Sequence, residues 1–572
     1  MQTGSSDSNS ATENLLIDDE IIFRTEDLKL KEIGIKFVET KKDRENIEYL
    51  KKKTPIILSG SRGTGKTMLL KMAEKEMDDS YEKNKVLPVF ISFSKAIFVD
   101  IDKDILFFKQ WMLSKILFEL RVKLKKHGIG MSQPSIFGSL FGCSDEVDEL
   151  SDKLSSFITV MEETWRKKDD ESNERLRKVF GIEPERIGVI SDVDYFKKLI
   201  EELCEYYDIE RVVLLFDEAC HNFIPIQQRE FFTFFRDLRT PYISCKAAVY
   251  PGITSYGTFQ AFHDAEIRKV ERDISDKDYI ANMREMVKNQ LGEDVYKIFE
   301  SNGDNFNALI YAASGNPRLM LKSIYVASNE LKSLNMLNTN NTIKQFYRTN
   351  IWNEHTKLGE IYTGYKPLID WGRDFIENKV LEETYSKNEK RLGSDDYSQT
   401  IFFAINRKAP EAVKKAMKIL EYSGIVTLHT EGTKVRTEIL DRYQLNFGIV
   451  LASESKDTPV KRYKEIVEHL SVKLYTEYGE NSPAYGNVTG IVLNGNNEKS
   501  SSVLASILDS KIEKLDLTRF QMETLKNSGF VTVGDVLRGN ENDLQRAYGI
   551  GPVRARRIFN IIFNASIEYI SG

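Results

Sequence analysis

The run Gly60-Ser61-Arg62-Gly63-Thr64-Gly65-Lys66-Thr67 has the residue types and spacing of a phosphate-binding loop. Glycines at these positions let backbone N–H groups turn inward around an anion. The helix that follows aims its positive end at the same point. In such a loop Lys66 reaches the β- and γ-phosphates and the Thr67 hydroxyl binds Mg²⁺. A second pair of residues completes the chemistry. Asp217 and Glu218 close the apolar run Arg211-Val-Val-Leu-Leu-Phe. Asp217 is suited to hold Mg²⁺ through water, and Glu218 to orient or deprotonate an attacking water. No NKxD-type guanine-reading sequence occurs, which favours ATP over GTP.

The elements around these residues fit that use. Ile56 to Leu58 reads as a strand running into the loop, and Met68 to Met77 as an amphipathic helix leaving it. Arg211 to Phe216 is apolar without alternation, as in a strand buried on both faces of a parallel sheet. Its carboxyl end is where open α/β sheets place their ligands. Val86 to Phe93 and Ile243 to Tyr250 read as further strands, and Glu266 to Asp273 as a segment able to close the sheet. Leu106 to Lys126 and Gln227 to Leu238 read as helices. The stripe Phe231, Phe232, Phe234 and Phe235 reads as core. Tyr250 and Thr254, at the end of the fourth strand, are candidates to sense a γ-phosphate.

With 572 residues the chain is too long for one core, and length alone suggests roughly three or four domains. Hydrophobic residues at 41% and charged residues at 29% describe a soluble protein, and the net charge of −6 requires any basic surface to be local. No apolar run approaches the ~20 residues of a membrane span. The polar start MQTGSSDSNSATENLL reads as a loose tail, giving a cytoplasmic expectation. Cys143, Cys204, Cys220 and Cys245 lack CxxC spacing, so buried thiols are expected rather than a zinc site or disulfides.

The order of phosphate loop, strand, Asp-Glu strand, polar-ended strand and a helical segment bearing Gly315-Asn316-Pro317-Arg318 resembles an AAA+-type ATPase. The closest likeness is to the branch holding the origin-recognition/Cdc6-like and STAND ATPases. It covers roughly Phe37 to Leu337, including the lead-in Lys36 to Leu50. The resemblance implies that Gly315 and Pro317 lie near the nucleotide and that Arg318 is the lid arginine contacting the γ-phosphate. Asn316-Pro317 also reads simply as a helix start. An arginine finger is not assignable among Arg236, Arg239, Arg268 and Arg272. The departure from the pattern is a long helical insertion at about 132–191.

Beyond the lid, Thr400 to Arg407 and Pro410 to Ser423 have a helix–turn–helix rhythm. Gly424 to His429 and a second strand pair through Ala452 follow, together a winged helix. Lys414, Lys415 and Lys418 on its second helix would suit DNA phosphates if it is the recognition helix; such a domain equally serves protein contacts or packs against the ATPase. Val460 to Tyr478 reads as a helix, and Gly479 to Ser502 as a linker. The last segment, with Gly529 in one turn and Tyr548-Gly549-Ile-Gly551 in another, resembles a tandem helix–hairpin–helix module. Its hairpin N–H groups would bind a DNA phosphate without reading sequence. From Lys511 to Gly572 nine basic residues stand against seven acidic ones.

These readings predict an α/β fold: a parallel-sheet P-loop ATPase core at 21–275 after a tail at 1–20, then a helical lid and connector at 276–395. A winged helix at 396–455, a helix and linker at 456–510 and an all-α helix–hairpin–helix domain at 511–572 follow. ATP and Mg²⁺ are the expected cofactors, held by Gly60, Ser61, Arg62, Gly63, Thr64, Gly65, Lys66, Thr67 and Pro317, with Thr67 and Asp217 on the metal. Glu218 and Arg318 are the expected catalytic residues. Gly549, Gly551, Arg554, Arg556 and Arg557 are the expected DNA contacts. DNA, further copies of the chain and an effector protein are the expected partners, with no membrane. The implied role is ATP-controlled loading or sensing of DNA, in defence against mobile DNA or in its maintenance. The alternative is an ATP-switched scaffold that recruits a partner with little turnover.

Overall fold

The computed structural model describes residues 30–93, 95, 105–129, 147–162, 192–219, 225–252, 254–361, 365–393, 397–453, 457–486, 488, 508–515, 517–538, 541–552, 554–559 and 561–562. Five strands form one parallel sheet in the order β2-β3-β4-β1-β5. They are β1 (Ile56–Ser59), β2 (Val86–Ser92), β3 (Arg211–Asp217), β4 (Ile243–Val249) and β5 (Glu266–Lys269). Helices cover both faces, and the apolar strand sequences divide between them. Ile56, Leu58, Val213 and Leu215 pack toward α1 (Lys41–Lys51) and α2 (Lys66–Asp79), meeting Ile47, Leu50, Leu69 and Ala73. Ile57, Val212, Leu214 and Phe216 face the other way, toward α3 (Ile105–Lys126), α4 (Val193–Tyr207) and α5 (Pro225–Asp237). There Trp111 and the four phenylalanines of α5 are buried, as the stripe predicted. Continuous rather than alternating apolar strands are the signature of a sheet covered twice. This architecture fits a P-loop ATPase domain.

The order also positions the chemistry. β4 lies between β1 and β3, pairing with both in register. The loop after β1 and the acids after β3 therefore open at the same edge, one strand apart. Most of the 132–191 insertion lies outside the described residues; Val147–Glu162 within it is a helix against α3.

The segment expected as the lid contains α6 (Tyr279–Leu291), α7 (Gly303–Ala312) and α8 (Pro317–Ala327). A second sheet follows, in the order β7-β8-β6-β9, with β6 (Phe402–Asn406), β7 (Val426–Val435), β8 (Glu438–Leu445) and β9 (Thr476–Tyr478). One helix, α9 (Glu411–Tyr422), joins β6 to β7. Three expectations change here. Thr400 to Arg407 is not a helix, because Phe402-Phe-Ala-Ile-Asn406 is fully buried and pairs with β8 on one side and β9 on the other. Phe447–Ser453 is a helix rather than a strand, with Asn446 capping the N–H groups of Gly448 and Ile449. The helix expected to reach Tyr478 ends at Glu468, and Thr476–Tyr478 is β9. The start of the expected linker is also packed: Tyr485 is buried, accepts a hydrogen bond from the Trp371 indole through its carbonyl and donates one to Tyr478 O. Lid and second sheet share one continuous core, from Tyr279 through Ile324, Trp352 and Phe403 to Tyr485.

The terminal module has its own small core of Leu508, Ile512, Leu525, Val536, Leu544, Ile550 and Ile558. Its first helix, Arg519–Asn527, starts with a capping box between Thr518 and Gln521. The second, Val533–Arg538, is capped by Thr532, whose hydroxyl accepts from the Asp535 N–H. Of the four cysteines, Cys204 and Cys245 are buried free thiols, and Cys143 and Cys220 lie outside the described residues. Among the described residues no helix is long and apolar enough to cross a membrane.

Candidate nucleotide-binding site

Gly63 and Gly65 take φ values of +82° and +96°, the left-handed turn that points successive N–H groups into a cradle. α2 begins at Lys66, so its positive end opens into the same cradle. The Lys66 amine does not project outward. It donates to the carbonyls of Gly60 (2.7 Å) and Ser61 (2.9 Å) and lies 3.8 Å from the centre of the Tyr250 ring. Burial pushes its pKa down to about 7, against the opposing charges of Glu271 and Asp217. Thr67 stands in the first turn of α2, and Asp217 is buried at the end of β3. A hydroxyl and a buried carboxylate around a lysine that feels the carboxylate's charge fit a magnesium–triphosphate.

Glu218 has φ +60°, a left-handed conformation strained for a side chain of its size. Its N–H donates to Asp217 Oδ1 at 3.0 Å, and its carboxylate accepts from the Ser92 hydroxyl at 3.1 Å. Ser92, at the end of β2, thus holds the Glu218 carboxylate. The sequence offered no motif for Ser92; only the pairing of β2 with β3 brings it there.

The lid reaches the loop through Asn316. Its Oδ1 accepts from the Leu319 N–H as the cap of α8, and its Nδ2 donates to Arg62 O at 2.6 Å. The helix-start reading therefore holds for this residue, and the same side chain ties the start of α8 to the loop. A side chain at Gly63 would meet Asn316 and the Cβ of Arg318, so the start of α8 lies directly on the loop. Pro317 takes the first helical position, and the positive charge of Arg318 is felt at both Lys66 and Tyr250. Gly315, at φ +79°, lets the backbone pass 2.6 Å from Arg272 O, measured from where a Cβ would stand.

Two residues just past β5 hold the loop from the other side. Glu271 accepts from the Ser61 N–H at 3.0 Å. Arg272 donates to Thr64 O at 2.8 Å and forms a buried ion pair with Asp43 at 3.1 Å. Asp43 is also the capping-box residue of α1, accepting from Thr40. Arg268 bonds Asn46 and lies 4.0 Å over the Tyr49 ring. Two of the arginine-finger candidates are thus engaged within the chain. Thr254 donates to Tyr250 O, steadying the loop after β4.

The second sheet closes the site from above. The Tyr422 ring of α9 stands edge-on to Tyr250, with centroids 5.7 Å apart. Lys415 donates to Gly252 O, and a Cβ at Gly252 would fall 2.1 Å from Lys418 O. Lys414 pairs with Glu411 on its own helix. The basic face expected to meet DNA therefore includes Lys415 turned toward the ATPase core. Lys269–Glu431 (2.7 Å), His429–Asp273 (3.7 Å) and Phe447 N donating to Ser314 Oγ (2.6 Å) complete the interface. Glu421 is half-buried in it, and desolvation beside Glu271 raises its pKa to about 7. Between loop, lid and second sheet remains a cavity of about 40 Å³ lined by Ser61, Thr64, Arg272, Asn316 and Asn446. That volume suits a few waters and is far below the roughly 300 Å³ at which small-ligand pockets begin.

In the terminal module Gly549 takes φ +77°, and Gly551 has no neighbour within 4 Å of its Cβ position. Ile550 between them is buried. Arg554 donates to Gly549 O at 2.9 Å, bracing the turn; Arg556 is exposed and Arg557 half-buried. The structure brings these residues together on one hairpin, separate in sequence from the phosphate loop by almost the whole chain.

Residues 22–96, which include the phosphate loop and β2, match the family model described as ORC-CDC6-like. Among solved structures, the chain is similar to the ORC1 protein of Aeropyrum pernix in complex with DNA. The identity is 12%, the alignment covers 75% of this chain and 96% of that one, and the TM-score is 0.25. No curated protein matches the chain.

Proposed function

We propose that the chain is an ATPase of the ORC/Cdc6-like AAA+ kind in which ATP separates the second sheet from the core and so changes how the carboxyl half meets DNA. One observation carries this reading: the stack Lys66–Tyr250–Tyr422. The amine that must reach a triphosphate is held on its own loop carbonyls and on a ring that touches α9. Lys66 reaching for phosphates leaves Tyr250, and the cavity beside Ser61 and Thr64 must widen. Both weaken the contact with α9. Mg²⁺ held by Thr67 and Asp217 would neutralise developing phosphate charge. Glu218, released from Ser92, orients the attacking water. Arg318 carries the phosphate state to the lid.

The DNA arm of the reading is supported by the hairpin around Gly549 and Gly551 and by Arg554, Arg556 and Arg557. The winged-helix reading is supported by the β6–α9–β7–β8 order and the long β7–β8 hairpin. The additional tail and the 132–191 insertion set the chain apart from a plain replication initiator, and we read its setting as the handling of mobile or invading DNA. The test uses Glu218→Gln. Hydrolysis is expected to fall by about 10²- to 10⁴-fold with ATP binding kept, and DNA binding to follow the trapped ATP state. A variant that matches the parent in every assay would mean that turnover is irrelevant and that the scaffold reading is correct. Duplex binding should weaken steeply with salt and fall in the Arg554/Arg556/Arg557→Ala variant; unchanged binding would remove the tail as the DNA contact.

A further inference from the structure

We propose that Tyr548 is a base-stacking platform, so that the tail selects DNA carrying an uncovered base, as at a gap, over continuous duplex. The inference rests on the DNA reading above and adds the kind of DNA to it. Tyr548 is 92% exposed, although the residues around it are fixed: Ala547 and Ile550 are buried in the module's core. The ring belongs to no core cluster of the described residues, so packing does not account for it. A tight turn holds it in water beside the hairpin N–H groups. At the same turn Phe520 is 40% exposed, its ring edge 3.2 Å from where a Cβ on Gly549 would stand. Two aromatic rings therefore flank one glycine turn.

Arginines stand around them, Arg519 paired with Glu523 at 2.9 Å and Arg546 with Asp543 at 3.5 Å. The side chain of Arg546 is 82% exposed and that of Arg519, next to Phe520, is 92% exposed; Arg554 braces the turn from beneath. Guanidinium groups around exposed rings fit a polyanion with π-faces. Two rings and a turn are small beside the ~800 Å² a protein partner needs from each side, which disfavours a hydrophobic protein contact. Inside a duplex each base face is covered by its neighbour. A ring can stack only where a face is open, so the platform separates gapped from continuous DNA while the hairpin binds phosphates in both.

The experiment measures fluorescence anisotropy of the full chain with a continuous duplex and with the same duplex carrying a five-nucleotide gap. Wild type should bind the gapped form at least about fivefold tighter, the lower end of base–aromatic stacking. Tyr548→Ala should erase that preference and leave duplex affinity unchanged, and Tyr548→Phe should keep it, since only the ring stacks. Equal wild-type affinity for both DNAs, or a preference that survives Tyr548→Ala, overturns the inference and leaves the DNA reading standing. Equal loss on both DNAs also overturns it, making Tyr548 a general contact. Absence of binding to either DNA at low salt overturns the DNA reading and the inference with it.

Discussion

Replacing Tyr250 with leucine separates two opposite roles for that residue. If Tyr250 reads the γ-phosphate, the change weakens ATP binding or turnover. If it holds the closed form, the change strengthens ATP binding. The size follows from its two contacts. A cation 3.8 Å from a ring centre in a desolvated site is worth about 2 kcal/mol. An edge-on ring pair such as Tyr250–Tyr422 adds about 1 kcal/mol. Leucine keeps most of the apolar volume, so the loss falls mainly on these terms. Together they shift the closed–open equilibrium by up to about a hundredfold, at roughly 1.4 kcal/mol per decade. ATP that binds only the open form gains whatever the closed form loses, so its Kd should fall at least about tenfold. The assay is calorimetric titration at pH 6.5, below the value of about 7 to which burial pushes Lys66, so that the amine is charged. Tyr250→Phe keeps both ring contacts and should remain near wild type. An ATP affinity that is unchanged or weaker in Tyr250→Leu refutes the closed-form reasoning.

Two further outcomes test other parts of the site. Glu421 has its pKa raised to about 7 in the closed form, by burial first and then by Glu271 and Glu431 against the opposing Lys269. In an open form it returns toward the ordinary carboxyl value of 4.5. Between those values the closed form binds more protons, so its stability grows as pH falls through 7 toward 4.5. ATP binding at pH 6 should therefore release up to roughly one more proton in wild type than in Glu421→Gln, with no difference at pH 8. Calorimetry in buffers of different ionisation heat measures this, and identical proton release in both proteins at pH 6 counts against opening. Arg272→Ala leaves Asp43 buried without its cation; urea unfolding should show a loss of about 3–5 kcal/mol, partly recovered by Asp43→Asn. A loss below about 1 kcal/mol would show that the pair does not tie α1 to the loop.

The phosphate loop and the acids of β3 were legible because their chemistry needs fixed residue types at fixed spacing, beside strands whose apolar runs admit one reading. Ser92, Glu271, Arg272 and Asp43 were not legible. Each reaches the site through strand pairing or through a helix start far away in sequence, and none carries a motif. Phe402 to Asn406 was misread because a short apolar run such as Ile401 to Ile405 suits a helix or a doubly covered strand equally well; the neighbouring strands decide. For Lys415 the sequence left DNA contact and packing against the core equally open. A basic helix face signals a polyanion only if it is free, and here a backbone carbonyl of the core occupies it.

What moves on opening follows from where the cores lie. The lid and the second sheet share one continuous apolar core, in which Trp352, Phe403 and Tyr485 are all buried. Parting them would expose large rings, each costing about 3 kcal/mol or more. Apart from Val38, which is buried in that same core, their contacts with the phosphate-loop domain are half-exposed ion pairs such as Lys269–Glu431, single hydrogen bonds such as Asn316 to Arg62 O, and the Tyr250–Tyr422 edge. Each of these is worth about 1 kcal/mol or less. A ligand that binds with micromolar affinity provides about 8 kcal/mol. On the proposed reading ATP therefore lifts lid and second sheet together as one body rather than parting one from the other. The pivot must then lie in the segment between β5 and α6, and Arg272, anchored to Asp43 and Thr64 at its start, marks the fixed side of that hinge.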